Sequence, residues 1–172
     1  MRRHAASMTP SSPAVMPGRR LALARLVAGA AALATVPVHA SDLPAAADLQ
    51  REIADAAARG EPLVLMVTLV GCAYCEVVRR LYLQPLRAAG RVPVLQVEMR
   101  SRADLVGPRG EATRGADLAR QWKVTMAPTV LFLGPGGTEL APRLTGYSED
   151  FYGGYLDEAL ATARQRLMKS RT

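Results

Sequence analysis

The stretch that most constrains this chain is Gly71-Cys72-Ala73-Tyr74-Cys75, which contains its only two cysteines. An apolar run over 63–70, typical of a buried strand, precedes it, and a helical pattern over 76–83 follows. A cysteine at such a junction lies where free backbone N–H groups and the helix dipole favour an anion. This position therefore favours the nucleophilic thiolate of Cys72. Cys75 lies one helical turn further on the same face, where it can close a disulfide with Cys72.

Other uses of a Cys-x-x-Cys pair fit this sequence less well. A structural zinc site needs about four ligands, whereas there is no further cysteine, and His4 and His39 lie in a predicted leader. A c-type haem attachment needs histidine directly after the second cysteine, and here Glu76 follows. A structural disulfide stays open, although so short a loop removes little entropy from the unfolded chain. We therefore predict a redox-active dithiol, with no metal and no cofactor.

Residues 1–40 have the pattern of an export signal. Arg19-Arg20 precede a mostly apolar stretch over 21–36, and Val38-His39-Ala40 resembles a small-x-small cleavage site. We expect cleavage after this tripeptide, which leaves 41–172 as a single exported domain in the periplasm. In that compartment disulfides form and persist.

The leader leaves two alternatives open. Its segment before Arg19 is long, and translation from Met16 would give a leader of more ordinary length. An uncleaved membrane anchor is the other alternative, but the apolar stretch is short for a span and contains Arg25. We therefore expect no stable membrane span after processing.

The basic character of the sequence comes mostly from the leader. The chain has 22 Lys and Arg against 15 Asp and Glu, and five of the arginines precede position 41, where there is no acidic residue. Without them 17 basic residues face 15 acidic ones. This near balance gives no indication of nucleic-acid binding.

The first half of the domain alternates helix and strand patterns. We predict a helix over 42–60, capped by Asp42 with Pro44 near its start, and then a strand over 63–69. The redox helix follows and bends or ends at Pro85, with 86–90 as its continuation. Its inward residues are predicted to be Val77, Val78 and Leu81. A second strand, over 91–99, is expected to run parallel to the first because a helix connects them.

A polar segment over 100–114, rich in glycine and arginine, is predicted to be a loop. Its arginines form either a basic patch for a partner or, as we favour, a solvated surface; they are Arg100, Arg102, Arg109 and Arg114. A short helix over 116–122 is expected to place Trp122 in the core.

The second informative stretch is the apolar run 123–133, which contains Pro128. A proline cannot donate a ladder hydrogen bond, so it marks the entry or the edge of a strand. The turn signal Gly134-Pro135-Gly136-Gly137 predicts a hairpin into 139–144. A final helix is expected over 148–168, capped by Ser148, and its inward residues are predicted to be Phe151, Tyr155, Leu156, Leu160 and Leu167.

This order of elements resembles the thioredoxin superfamily over about residues 63–168. Two motifs carry the resemblance, namely 71–75 and Val124-Thr-Met-Ala-Pro-Thr-Val-Leu-Phe132. The resemblance implies an α/β thioredoxin-like fold, in which a central mixed β-sheet is flanked by helices. It also implies that Cys72 is the attacking thiol and Cys75 the resolving one.

The same resemblance implies a substrate-binding surface around the cysteine pair. Pro128 would be a cis proline beside the disulfide, and Ala127 would supply backbone hydrogen bonds to a bound partner peptide. We expect Ala73 and Tyr74 to contact the substrate as well.

The chain also departs from the cytosolic thioredoxins. They carry Trp-Cys-Gly-Pro-Cys, where this chain has Gly71 and Ala73-Tyr74. They have a buried aspartate six residues before the first cysteine, where this chain has Met66, so the proton acceptor for the second cysteine is unidentified. Glu76 and Glu98 are the nearby carboxylates in the sequence. The Ala-Tyr centre is similar to exported Dsb-type proteins and glutaredoxins, and the whole to small exported thioredoxin-like proteins, including those of sulfur-oxidation systems (SoxW type).

These features predict an exported thiol–disulfide oxidoreductase. We expect it to act mainly as a monomeric reductant of disulfide-containing exported proteins, recharged by a membrane thiol transporter, because no large inserted helical region of the DsbA kind is evident. The alternatives are a disulfide oxidase or isomerase, and a non-catalytic partner-binding module with a structural disulfide. A Cys–His hydrolase is excluded, because no histidine lies beyond the leader.

Overall fold

The strand β1 (Leu63–Thr68) is the centre of the fold, because all six of its residues are buried. The computed structural model describes residues 43–170, so the predicted leader and its cleavage site lie outside the described residues. Around β1, in chain order, the elements are α1 (Leu49–Ala58), α2 (Ala73–Val78), α3 (Gln84–Ala88), β2 (Val94–Glu98), β3 (Asp104–Val106), β4 (Ala112–Arg114), α4 (Gly115–Gln121), β5 (Thr129–Leu133), β6 (Leu144–Thr145) and α5 (Tyr152–Lys169). A π-helical turn, Arg79–Leu83, joins α2 to α3.

The main sheet has four strands in the order β2-β1-β5-β6. β1 runs parallel to β2, as predicted for two strands joined by a helix, and antiparallel to β5. β6 is antiparallel to β5. The predicted α/β class, with a central mixed sheet flanked by helices, is therefore confirmed.

Helices cover both faces of this sheet, because side chains along a strand point alternately to opposite sides. Val64 and Met66 of β1 lie in one core with residues of α2 and α5. Leu63, Leu65 and Val67 lie in a second core with residues of α1 and α4. Since the first core also contains Cys75, the redox helix packs on the face of the sheet that carries Met66.

The first helix begins later than its sequence pattern predicts. Asp48, not Asp42, is the cap of α1, and its side chain accepts a backbone N–H bond in the first turn. The residues before it are paired with a strand instead. The Ala46 N–H donates to the Gln96 carbonyl at 2.8 Å, and the Gln96 N–H donates to the Pro44 carbonyl at 2.9 Å. Pro44 is therefore not in the helix, because this segment hydrogen-bonds along the edge of β2.

The redox helix buries partly different residues from those predicted. Val78 is buried and Val77 half-buried, but Leu81 is 52% exposed, so its predicted inward position is wrong. The π-helical turn places five residues where an α-helix has about four, and Leu83 faces the core instead. The helical run passes through Pro85, which lies in the first turn of α3, where a missing N–H is tolerated.

Residues 100–114 are not only a loop, because they contain a small β-hairpin. β3 and β4 pair antiparallel, with Asp104 opposite Arg114. These two side chains also form an ion pair, with Arg114 Nε 2.9 Å from Asp104 Oδ1, and this pairing raises the pKa of Arg114. Strands of three residues are too short to show a period in the sequence. The four arginines of the segment are all exposed, which agrees with a solvated surface.

The second half of the domain follows the predicted order with shifted boundaries. Trp122 is half-buried and packs against the core formed with α1 and α4. The predicted hairpin after β5 is present, but its returning strand is only the short β6, preceded by a single bridge between Leu133 and Glu139.

The last helix, α5, also begins later than predicted. Its first residue is Tyr152, so Ser148 is not its cap. Phe151 and Tyr155 are 62% and 52% exposed, which makes their predicted inward positions wrong, whereas Leu156 is buried as predicted. The buried stripe includes Tyr152, and this residue takes the inward position at the start of the helix. Within residues 43–170, neither α5 nor any other helix combines the length and the apolar character needed to cross a bilayer.

Candidate active site

The two cysteines lie at the start of the redox helix, where they form a disulfide with a Cα–Cα distance of 5.2 Å. β1 ends at Thr68, and a short turn leads to Cys72, which is the N-terminal cap of α2. Gly71 has φ +74°, a left-handed backbone conformation that residues other than glycine adopt rarely. This turn positions Cys72 at the carboxyl ends of the parallel strands β1 and β2.

The two sulfurs differ in exposure and in hydrogen bonding. Cys75 is 1% exposed and belongs to the core, whereas Cys72 is half-buried. The backbone N–H of Cys75 donates to Cys72 Sγ at 3.1 Å. Such a bond stabilises negative charge on the outer sulfur when the disulfide is reduced. In this arrangement Cys72 carries the accessible sulfur and Cys75 the protected one.

The segment Met126–Thr129 lies against the disulfide from the other side of the site. The Ala127–Pro128 peptide bond is cis, Pro128 is buried, and the Ala127 carbonyl oxygen is 3.8 Å from Cys72 Sγ. The Thr129 hydroxyl donates to the Met126 carbonyl at 2.7 Å. Ala127 is thus brought to the outer sulfur.

On the same side, a group of tyrosines that we call the aromatic flank surrounds Tyr74. Tyr74, predicted to contact substrate, is 64% exposed, and its ring centroid is 6.0 Å from that of Tyr147. Tyr147 in turn contacts Tyr82 and Tyr152, with centroids 6.3 Å and 5.7 Å away. Hydrogen bonding with Tyr82 and burial raise the pKa of Tyr147, and burial raises the pKa of Tyr152 further. Ala73 is exposed beside Tyr74.

On the opposite side of Cys72 lies an open polar cleft of about 570 Å³. Its lining includes Glu76, Arg79, Gln96 and Glu98, and we use the name polar cleft for the space that these side chains and Cys72 enclose. The Arg79 side chain is only 11% exposed. Its Nε donates to Gln96 Oε1 at 3.0 Å, and its guanidinium also bonds to Glu76 and to the Thr68 hydroxyl. The cleft thus holds fixed charges beside the outer sulfur.

Sequence reasoning missed Arg79 and Gln96 as residues of this site. A signal for Gln96 was present, because Gln96 and Glu98 alternate with the buried residues of β2, which indicates that one face of that strand is polar near its end. Arg79 had no such signal, since its contacts depend on how the π-helical turn rotates the helix.

Comparison with known proteins assigns the family. Residues 49–152, more than half of the chain, match the family model of the thioredoxin-like domain. No curated protein matches the sequence significantly.

Among solved structures, the chain is similar in fold to three thioredoxins. Thioredoxin h from poplar is 14% identical, with a TM-score of 0.48 over 63% of this chain and 84% of that one. Thioredoxin NaTrxh from Nicotiana alata is 15% identical, with a TM-score of 0.47 over 70% and 96%. Mitochondrial thioredoxin 3 from Saccharomyces cerevisiae is 18% identical, with a TM-score of 0.44 over 67% and 93%. Because these values are low, the assignment rests on the family model. The chain belongs to the thioredoxin-like domain family, and with its Cys72–Cys75 pair it is a thiol–disulfide oxidoreductase.

Proposed function

We propose that this protein is an exported reductant that cleaves disulfides of periplasmic partner proteins. The observation that carries the proposal is the asymmetry of the cysteine pair. Cys72 is half-exposed, accepts the Cys75 N–H and lies beside the Ala127 carbonyl, whereas Cys75 is buried. An accessible sulfur can attack a partner, and a buried one can resolve the adduct only from within the protein.

The chemistry follows from this asymmetry. The Cys72 thiolate attacks one sulfur of a partner disulfide, forms a mixed disulfide and releases the other partner sulfur as a thiolate. Cys75 then loses its proton and attacks Cys72 Sγ, which releases the second partner thiolate and closes the Cys72–Cys75 disulfide. Two electrons pass to the partner, and its two thiolates take up two protons. Each turnover consumes the dithiol, so a reductant outside the cytoplasm needs an electron donor, and a membrane thiol transporter fits this need.

The surface around Cys72 supports a polypeptide partner. Three large apolar side chains near the disulfide are exposed, namely Val70 at 84%, Tyr74 at 64% and Met126 at 55%. Apolar side chains clustered on a surface are typical of interaction sites. A partner segment that lies over the Ala127 backbone would contact Tyr74 and Met126 together.

Reduction rather than oxidation is favoured by the arrangement of the elements. Within residues 43–170 the elements follow one another closely, and the β3–β4 hairpin is the main insertion, with no inserted helical region. Export is supported by the leader pattern in 1–40. The thioredoxin-like domain itself is compatible with either direction of electron flow.

The test is the reduction potential of the Cys72–Cys75 couple, titrated against glutathione. A reductant is expected near the thioredoxin end of the scale, about −270 mV, whereas a value near about −120 mV would make the protein an oxidant. A pair that stays oxidised in native protein under strong reductant would instead identify a structural disulfide.

A trapping experiment tests the order of attack. Cys75→Ser should accumulate a mixed disulfide with partner proteins in periplasmic extracts, because the resolving thiol is missing. Cys72→Ser should trap none, since the buried Cys75 cannot reach a partner. Equal trapping by both variants would contradict the assigned roles.

A further inference from the structure

Reduction of a partner disulfide moves protons as well as electrons. Cys75 must lose its proton before it can attack the mixed disulfide, because the thiolate is the nucleophile. Cys75 is 1% exposed, so bulk water has little access to it. A group inside the protein is therefore needed to take this proton.

Among the described residues, the core side of Cys75 offers no such group. Met66 and Val78 are fully buried in the same core and have no ionisable atoms. Tyr152 belongs to this core as well, but burial raises its pKa, so it keeps its own proton. The acceptor must therefore approach from the polar cleft, which is bounded by Cys72.

Glu98 lies at the right place on the sheet. It is the register partner of Thr68, two pairs beyond Met66 and Gln96, in parallel strands that lie about 4.8 Å apart. Register partners point to the same face, so Glu98 lies on the face covered by the redox helix. Glu98 is the last residue of β2, at the same edge of the sheet where β1 ends and the chain continues to Cys72.

The two carboxylate oxygens of Glu98 have different surroundings. Oε2 accepts the backbone N–H of Arg100 at 3.0 Å. Oε1 is buried, and among the described residues it has no hydrogen-bond partner. The backbone at this point is tightly held, because a Cβ on Gly115 of α4 would clash with the Glu98 carbonyl. One oxygen is thus anchored and the other is free to take a proton.

The other charged groups near Glu98 are already paired. On the redox helix, Glu76 forms an ion pair with Arg79. On β3, Asp104 lines a second cavity together with Glu98, and it forms an ion pair with Arg114. Among residues 43–170, no lysine or arginine side chain is seen in an ion pair with Glu98 itself. Glu98 is therefore the carboxylate of the polar cleft with a free acceptor atom.

We propose that Glu98 takes the Cys75 proton through water in the polar cleft and returns it to the leaving partner sulfur. This inference rests on the proposed function of the same site. The cleft has room for several water molecules, each of which occupies about 30 Å³ in the liquid. In the step, the Cys75 S–H bond breaks and an O–H bond forms on Glu98. The Cys75 thiolate then closes the disulfide, and the proton moves from Glu98 to the released thiolate, which restores the carboxylate.

The test compares Glu98→Gln with Glu158→Gln, which removes an exposed carboxylate of α5 that is not part of the polar cleft. Reduced protein is mixed with a disulfide-bonded peptide, and resolution of the mixed disulfide is followed in a single turnover between pH 5.5 and 9. In E98Q we expect resolution to be at least about tenfold slower near pH 6, with the deficit closing towards pH 9, where hydroxide takes the proton. E158Q should stay within about twofold of the wild type, and Glu98→Asp should recover part of the rate.

Parallel pH profiles for E98Q and the wild type would overturn the inference, and so would equal losses in E98Q and E158Q at every pH. A second measurement needs no turnover, namely the NMR titration of the cysteine Cβ signals in the reduced protein. Loss of a nearby carboxylate should lower the midpoint of the Cys75 titration in E98Q, and an unchanged midpoint would also overturn the inference. A wild-type protein that does not reduce the peptide would contradict the proposed function, while this titration would still test Glu98.

Discussion

The two sides of the Cys72–Cys75 disulfide are built from different chemistry. On one side the polar cleft holds Arg79 and Glu98 in fixed positions by hydrogen bonds from the helix, the sheet and the backbone. On the other side the aromatic flank presents Tyr74 to solvent next to a cluster of buried and half-buried tyrosines. The outer sulfur of Cys72 lies between them.

This difference suggests that the two sides of the Cys72 sulfur serve different purposes. Fixed charge beside an open space that can hold several water molecules suits the transfer of protons, whereas the exposed Tyr74 ring next to the Ala127 backbone suits contact with a polypeptide. Substitutions in the polar cleft should therefore act on stability and on pH dependence. Substitutions at the surface of the aromatic flank should act on partner binding.

The largest expected effect on stability comes from Arg79→Met. The Arg79 side chain is 11% exposed and makes hydrogen bonds to Gln96, Glu76 and Thr68, so its removal leaves buried polar atoms unsatisfied. We expect a loss of about 2–3 kcal/mol in the free energy of unfolding, measured by urea denaturation of the oxidised protein. Arg80→Met, at an exposed neighbouring position, should change it by less than about 0.5 kcal/mol. Equal losses in both variants would contradict a structural role for the cleft network.

A smaller effect, of opposite sign, is expected for Tyr152→Phe at the buried end of the aromatic flank. The Tyr152 hydroxyl is buried, and no group in the described part of the chain, residues 43–170, hydrogen-bonds to it. Its removal should stabilise the protein by about 1 kcal/mol at pH 7. Tyr155→Phe, on an exposed ring of the same helix, is the matched control and should change little.

The stability of the same two variants should also depend differently on pH. Burial raises the pKa of Tyr152 above the 10.0 of a free tyrosine, so the folded protein keeps a proton that the unfolded chain loses as the pH rises through that value. Below pH 10 this contribution to stability is constant, and above it the wild type should lose up to about 1.4 kcal/mol per pH unit. Thermal unfolding between pH 8 and 11 should show a shallower alkaline decline in Tyr152→Phe than in Tyr155→Phe. Identical slopes would mean that Tyr152 ionises freely in the folded state.

The smallest effect on stability is expected at the outer edge of the aromatic flank, in Met126→Ala. Met126 is 55% exposed, so its loss should change the free energy of unfolding by less than about 0.5 kcal/mol. It lies next to Ala127, and a flexible thioether there adds apolar contact to a bound peptide. We expect kcat/KM for a disulfide-bonded peptide to fall about threefold to fivefold, consistent with a contact of about 1 kcal/mol. Met168→Ala, at a 60% exposed position in the last turn of α5, should leave kcat/KM unchanged.

Much of the fold was predictable because it is encoded in local patterns. The apolar run of β1, the cysteine pair after it and the helix that follows are adjacent in the sequence, so their order needed no tertiary information. The parallel pairing of β1 with β2 followed from the helix that connects them. The late starts of α1 and α5 were not predictable in this way. The start of α1 depends on the pairing of 44–46 with β2. The inward face of α5 depends on packing that buries Tyr152 and leaves Phe151 exposed.

The sequence by itself determined the reactive pair, the α/β class and the stretch around Pro128, because each depends on residues close together in the chain. Only the tertiary structure decided what surrounds Cys72. Arg79, Gln96 and Glu98 meet in one cleft because the register of β1 and β2 and the π-helical turn bring separate segments to the same edge of the sheet. Tyr74 and Tyr147 meet because β6 returns the chain beside the redox helix. Contacts between distant segments depend on register and helix rotation, and neither leaves a periodic signal in the sequence.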